Sequence, residues 1–381
     1  MTKLLMLVLY SLLNSLFIYK YSLRTSFSPW LCITGWLMML SAFLFVFNYL
    51  SNKIKKIGTF LLLLFTTAAI LLILCKVEPL SVNVDRWSAT TFFLDGLFRG
   101  EYPYAIHTHV SETNFPSPFP LWQYINIPFW LIGDVGIGLI FFLLFFTICV
   151  YCYTKSYSQT FFLTSLLALS PCYWWEVIVR SDGLSNAILV FCFILIMEKH
   201  RISFTNHWIV CTIICGMMAS TRLSAVLPLA IYLGRSFFTT HINRQIIIIL
   251  SIFSILFIFF APYIFWDTQQ WIFFSRNPFM SQTSTGNPLI LILMVIIMIY
   301  LSLKFKNIFQ YCRYTSIFLF FFFIVSLTYN HLTYHADISF LTDADFDISY
   351  FTLALPYCLF SITEPLSYHR SRRFFVGQKQ S

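Results

Sequence analysis

Charge is what this chain has least of. Only 10% of its 381 residues are Asp, Glu, Lys or Arg, against roughly a quarter in soluble domains. A shortfall that deep excludes an ordinary water-soluble enzyme. Apolar–polar alternation is missing too. The long apolar runs, such as LLLLFTTAAILLIL (61–74) and IIIILSIFSILFIFF (246–260), are continuous, which excludes a transmembrane β-barrel, whose strands alternate. No second CxxC accompanies Cys149–Cys152, and most of the ten cysteines lie within apolar runs; they read as small apolar filler rather than metal or redox groups. No small-residue cleavage site follows the first apolar stretch (4–19), so it reads as a span and not a signal peptide. No internal repeat is visible, which weighs against a secondary transporter built of duplicated halves. The net charge of +9 is scattered over short loops, so it argues for membrane orientation and not for nucleic-acid binding.

What the chain has in abundance is hydrocarbon: 59% hydrophobic residues, 45 of them Phe. In a bilayer the backbone must satisfy its own hydrogen bonds, and with the barrel excluded only helices remain. The sequence therefore predicts an all-α polytopic membrane protein of ten to twelve spans. Twelve apolar runs fall near 4–19, 30–50, 57–75, 134–152, 158–171, 184–198, 207–220, 223–235, 245–265, 288–303, 314–330 and 348–363. The whole of 1–381 reads as one integral-membrane domain, with an N-terminal hairpin (1–50), a large loop (76–133) and a basic tail (364–381). Lys and Arg gather in NKIKK (52–56), at Lys155, in EKHR (198–201), between Arg235 and Arg244, in KFKN (304–307) with Arg313, and in RSRR (370–373). With twelve spans all of these share one side, which the positive-inside rule makes cytoplasmic. Lys20 and Arg24 are the exception and land outside.

The outer loops, 76–133, 172–182, 266–287 and 330–349, are long and rich in Trp, Tyr and carboxylates. In the first of them, residues 87–99 carry apolar side chains at largely helical spacing, which predicts an amphipathic helix lying at the interface. Gly100 stands where a helix stop is expected and Pro103 prevents resumption. NFPSPFPLWQY (114–124) then forces an extended or turning path, and Ile125–Ile132 predicts a second interfacial helix.

This organisation resembles the C-type superfamily of integral-membrane glycosyltransferases, in its bacterial mannosyltransferase-like branch that uses polyprenyl-phosphate sugars. The pieces that carry the resemblance are Asp85, the helix to Arg99, Gly100-Glu101-Tyr102-Pro103-Tyr104 and the Pro-rich FPSPFPLWQY, all within 80–135. It is thinner over 169–195 and 220–233, and beyond 240 rests on hydropathy alone. One departure is that members usually place this loop after the first span, whereas here it follows the third. The resemblance implies transfer of a sugar from a polyprenyl-phosphate donor to a glycan or lipid acceptor, on the outer face of the inner membrane.

Such a donor is already activated, because the departing phosphate is stable as an anion. The enzyme needs one carboxylate to take the acceptor proton and positive charge to hold the phosphate, not the paired carboxylates of a glycosidase. Asp85 is the expected base, by its place at a membrane exit and by carry-over from the family; pairing with Arg86 or capping the interfacial helix is its alternative role. Asp95 is a second carboxylate in the same helix. For the substrate, Arg86, Arg180 and Arg222 offer cations, the last two beside apolar spans where an idle charge is costly. Arg180 equally suits a salt bridge to Glu176 or Asp182, and Arg276 lies in a polar loop. Tyr102, Tyr104, Trp122, Trp174 and Trp175 suit sugar stacking or interfacial anchoring. Asp343, Asp345 and Asp347, near His331, His335 and Asp337, suit a divalent-metal clamp or a solvated acidic loop equally well. His107 and His109 have no evident partner. Two rival readings remain: a transporter or flippase of lipid-linked sugars, and an O-antigen-type polymerase.

Overall fold

The computed structural model of the chain describes residues 2–272, 277–283, 287–334 and 347–364. Among these there is no strand, and every predicted apolar run is helical. The long helices are α1 (Thr2–Ser22), α2 (Pro29–Tyr49), α3 (Asn52–Lys76), α6 (Ile137–Thr154), α9 (Gly183–His200), α12 (Ile242–Trp266) and α16 (Ile308–Tyr334). Seven helices are thus long and apolar enough to cross a bilayer, and α7 (Tyr157–Ala168) with α8 (Pro171–Ile178), bent by 60° at their junction, makes up to eight. Shorter helices are α10 (Trp208–Ala219), α11 (Val226–Phe238), α13 (Thr268–Ile272), α14 (Pro278–Thr283), α15 (Pro288–Lys304) and a 3₁₀ segment, Ile348–Ala354, leading into α17 (Leu355–Ile362). The chain is a polytopic helical membrane protein.

Local chemistry sets the helix ends. Ser51 and Ser156 accept from the amides of Ile54 and Gln159, each at 3.3 Å, at the starts of α3 and α7, and Asn287 does the same for α15 ahead of Pro288. Such caps satisfy amides that no helical carbonyl reaches. Segment 172–182, expected as external loop, is helical to Ile178, because Pro171 begins a new turn instead of ending one.

α9 is the most enclosed of the long helices and packs on α6, while α3 lies on α7, α10 on α12, and α11 on α15. The hairpin of residues 1–50 is built into this body. The Tyr10 hydroxyl donates to the Leu166 carbonyl at 2.6 Å, and Trp36 Nε1 to that of Leu169 at 2.9 Å. Asn14, fully buried, accepts from Ser170 Oγ (2.6 Å) and the Cys172 amide (3.2 Å) at the α7–α8 bend. Substituting Asn14→Ala strands both donors in an apolar core. We expect a loss of about 1–3 kcal/mol, read as a lower melting temperature in detergent with the helix content of the folded protein unchanged.

Loop 76–133 folds into α4 (Arg86–Arg99) and α5 (Pro120–Ile132). Gly100, at φ 75°, closes α4 in the left-handed conformation that a glycine adopts without strain. The second helix begins at Pro120, five residues earlier than expected. Proline at the first helical position has no amide to lose, so it starts the helix. The irregular link between α4 and α5 lies on residues 220–221, with the Phe119 amide donating to the Thr221 carbonyl (3.1 Å) and Leu121 to Ser220 (3.2 Å). Gln282 Nε2 also reaches the Ser117 carbonyl at 2.6 Å. The long loops therefore meet at one end of the bundle. The chain around the ends of α9, α11 and α15 meets at the other, where Ile202, Ser203, Thr205, Arg235, Ser236, Thr239 and residues 305–308 border one cavity. Of the tail, only Glu364 is described; it pairs with Arg313.

Candidate active site

At the loop end, a cavity of about 280 Å³ is bordered by the last turn of α1, the segment entering α4, the 110–114 turn, α8 and the residues before the 3₁₀ segment. Its charged walls are Lys20, Arg24, Asp85, Arg86 and Asp347. Three cations thus face two carboxylates.

Asp85 sits at the N-cap position of α4, half-buried, with backbone φ −78° and ψ −1° and no hydrogen bond from its side chain to the helix amides. Its backbone carbonyl takes the Ala89 amide (2.8 Å) and Ser88 Oγ (3.1 Å). Among the described residues its carboxylate makes neither a hydrogen bond nor an ion pair. It does not cap α4, and although its charge acts on Arg86, the close ion pair of that guanidinium is made with another carboxylate. Arg86 turns away to Asp347, forming an ion pair with that carboxylate and a 3.3 Å hydrogen bond to Ser349 Oγ. Burial pushes the Asp347 carboxyl up, but Arg86 and the Ser349 hydrogen bonds outweigh it and hold the group below the usual carboxylate value.

Aromatic rings and a histidine shape the rest. Trp175 stacks on Tyr21 at 3.5 Å between centroids, and Arg24 lies 5.3 Å over the same tyrosine ring. His109, for which the sequence offered no partner, ties the 106–114 turn to α4: Nδ1 lies 2.7 Å from Ser88 Oγ, and Nε2 lies 3.0 Å from the Val82 carbonyl. His107 is exposed.

The other residues singled out by the sequence lie elsewhere. Arg180 binds Asp134 (2.8 Å) and the carbonyls of Leu74 and Val77 (2.9 Å each). Arg222 pairs with Asp182 at 3.2 Å, both side chains under a tenth exposed. Glu176 closes in beside them and accepts the Leu184 amide at 3.1 Å, covering the start of α9. Asp95 accepts from Trp130 Nε1 at 2.8 Å and so fastens α4 to α5. Tyr104 is buried against Phe93 and Tyr263 with its hydroxyl on the Pro118 carbonyl, and Tyr102 lies edge-on to Trp266. Trp122 is buried on Phe142, and Trp174 donates to the Ala168 carbonyl. These anchor the loop to the bundle. Of the residues expected to bind substrate, Arg86 and Trp175 share the cavity with Asp85, while Tyr102, Tyr104, Trp122, Trp174, Arg180 and Arg222 do not border it. The cations that do share it, Lys20 and Arg24, were passed over.

Among the described residues no group of three His, Cys, Asp or Glu could hold a metal ion. Arg276, His335, Asp337, Asp343 and Asp345 lie outside the described residues; His331 is buried near the end of α16. No family model, no curated protein and no solved structure matches this chain.

Proposed function

We propose that the protein is an inverting glycosyltransferase that moves a sugar from a polyprenyl-phosphate carrier to a glycan or lipid hydroxyl, at the outer face of an inner membrane. The observation that carries this reading is the setting of Asp85: a carboxylate uncommitted among the described residues, opening on a cavity walled by Lys20, Arg24 and Arg86. In the proposed reaction Asp85 takes the proton of the acceptor hydroxyl as its oxygen bonds to the anomeric carbon. The bond from that carbon to the phosphate oxygen breaks, and its electron pair leaves with the carrier phosphate. The cations of the wall oppose the charge growing there, and Arg86, held by its ion pair, needs no reorganisation as it develops. Asp347 keeps the Arg86 guanidinium in place.

The position of the buried charges favours an enzyme over a transporter. Lys20, Arg180, Asp182 and Arg222 lie near the loop end, while Lys55 and Glu364 lie at the other. A translocation path would instead string ionisable groups through the middle of the spans. The test is to reconstitute the full chain with a panel of polyprenyl-phosphate sugars and acceptors, reading products by mass spectrometry. The expected product carries one new glycosidic bond of inverted configuration. Labelled lipid-linked sugar that crosses the vesicle wall without such a bond makes the protein a transporter. Joining of oligosaccharide repeats from a pyrophosphate carrier makes it a polymerase.

A further inference from the structure

Two adjoining cavities lie on the side of the bundle formed by α10, α11, α12 and α15, one running from the end away from Asp85 up to Leu223 and Phe279 beside the outer loops and the other at that end. The first, of about 430 Å³, is almost wholly apolar and lies among α10, α11, α12 and α15, between side chains such as Ala219, Ala230, Phe253 and Ile299. The other, of about 280 Å³, carries Arg235 and Lys306 with the hydroxyls of Ser203, Thr205, Ser236 and Thr239. Leu233 borders both. The chain interleaves them as well: Phe204 faces the apolar cavity while Ser203 and Thr205 face the polar one, and Gly234 and Arg235 divide in the same way.

The voids have a physical origin. α10 and α11 are 12 and 13 residues long. At about 1.5 Å per residue each falls well short of a hydrocarbon core about 30 Å thick. Ala230, a small residue of α11, then leaves part of the space toward α12 and α15 unfilled, while Gly234 lets Ser302 of α15 pack close. In a bilayer such a gap takes a lipid chain, but any lipid supplies one. Selection has to come from the polar cavity. There, among the described residues, Glu198 is the one carboxylate in the wall, and it is engaged by the Tyr232 hydroxyl at 2.8 Å. Arg235 and Lys306 are exposed and make no ion pair among the described residues. The charge left to meet a ligand is positive, ringed by hydroxyls, and joined to an apolar slot.

We propose that this pair of cavities is a binding site for one anionic phospholipid of the leaflet at the basic end of the bundle, its phosphate between Arg235 and Lys306 and an acyl chain between α11 and α12. The site is separate from the Asp85 cavity and does not depend on the reaction carried out there. Basic pockets between spanning helices on the positively charged side select anionic headgroups in this way.

The test is native mass spectrometry and thermal denaturation of the delipidated full chain with phosphatidylglycerol or phosphatidylcholine of identical acyl chains. Each basic side chain near a lipid surface weights an anionic headgroup by about fivefold. The wild type should therefore bind the anionic lipid about thirtyfold more tightly, with a matching rise in melting temperature. The Arg235→Gln/Lys306→Gln variant changes two exposed side chains, so it should fold normally and lose the preference. Ala230→Phe, which fills the apolar slot, should weaken both lipids alike. Equal binding of the two lipids by the wild type, or a preference that survives in the double variant, overturns the proposal. So does full displacement of the lipid by glycerol phosphate at equal concentration, since the acyl chain would then contribute nothing.

Discussion

Asp85→Asn is expected to lower kcat for the proposed sugar transfer by about 10²–10⁴ without raising KM for the lipid-linked donor. The lower end is the ordinary worth of a positioned general base and the upper end a base with no substitute, equivalent to about 3–5 kcal/mol of barrier. The substitution keeps the shape of the side chain. No ion pair is broken among the described residues, so abundance and melting temperature should stay at the wild-type values. Removing one carboxylate from a wall of three cations and two carboxylates makes the cavity more positive, so donor phosphate should bind as well as before or better. A fall in kcat with an unchanged or lower KM is the signature of a lost base. Full activity in the variant removes Asp85 from the mechanism. An activity loss matched by loss of folded protein makes it a structural residue.

The sequence showed the helices far better than it showed the site, and the reason is range. A span is a local property, so runs such as 61–74 and 246–260 identify themselves, and the stop at Gly100 is written in one residue. Even the place of Asp85, where the chain leaves the third span, is legible from its neighbours. A cationic cavity, by contrast, is assembled from segments far apart: Arg86 meets Asp347 across 261 positions, and neither residue announces the other. Arg180 and Arg222 stood out because a cation beside hydrocarbon is costly without a partner. That argument establishes that a partner exists and is silent on what it is. The partners proved to be Asp134 and Asp182. Lys20 and Arg24 did carry a signal: they are two basic residues close together in a short loop on the side that the charge bias makes external. A breach of the positive-inside pattern needs a local reason, and the two carboxylates that share the cavity, Asp85 and Asp347, supply one.

Arg180 offers the sharpest separation of a structural cation from a ligand-binding one. Its side chain is 1% exposed and its Nε donates to Asp134, while Nη2 bridges the carbonyls of Leu74 and Val77 where α3 ends. One guanidinium thus ties α8, the entry to α6 and the end of α3 together. Its backbone, at φ 51°, lies in the left-handed region, where a side chain costs about 1–2 kcal/mol; the grip of the guanidinium offsets that strain. Arg180→Ala removes the grip, keeps the strain and leaves Asp134 facing a pocket shaped for a cation. Breaking a buried pair from one side costs about 3–5 kcal/mol, and Asp134, about a fifth open to solvent, draws the figure toward the lower end. The variant should melt well below the wild type, and Arg180→Gly about 1 kcal/mol less severely, since glycine adopts this conformation freely. Adding Asp134→Asn to Arg180→Ala should return part of the loss, because the stranded charge is then gone. The protein that does fold should transfer sugar at the wild-type rate per molecule. If Arg180→Ala instead melts normally and binds the donor poorly, its guanidinium belongs to the substrate site and the cavity around Asp85 is larger than the one described.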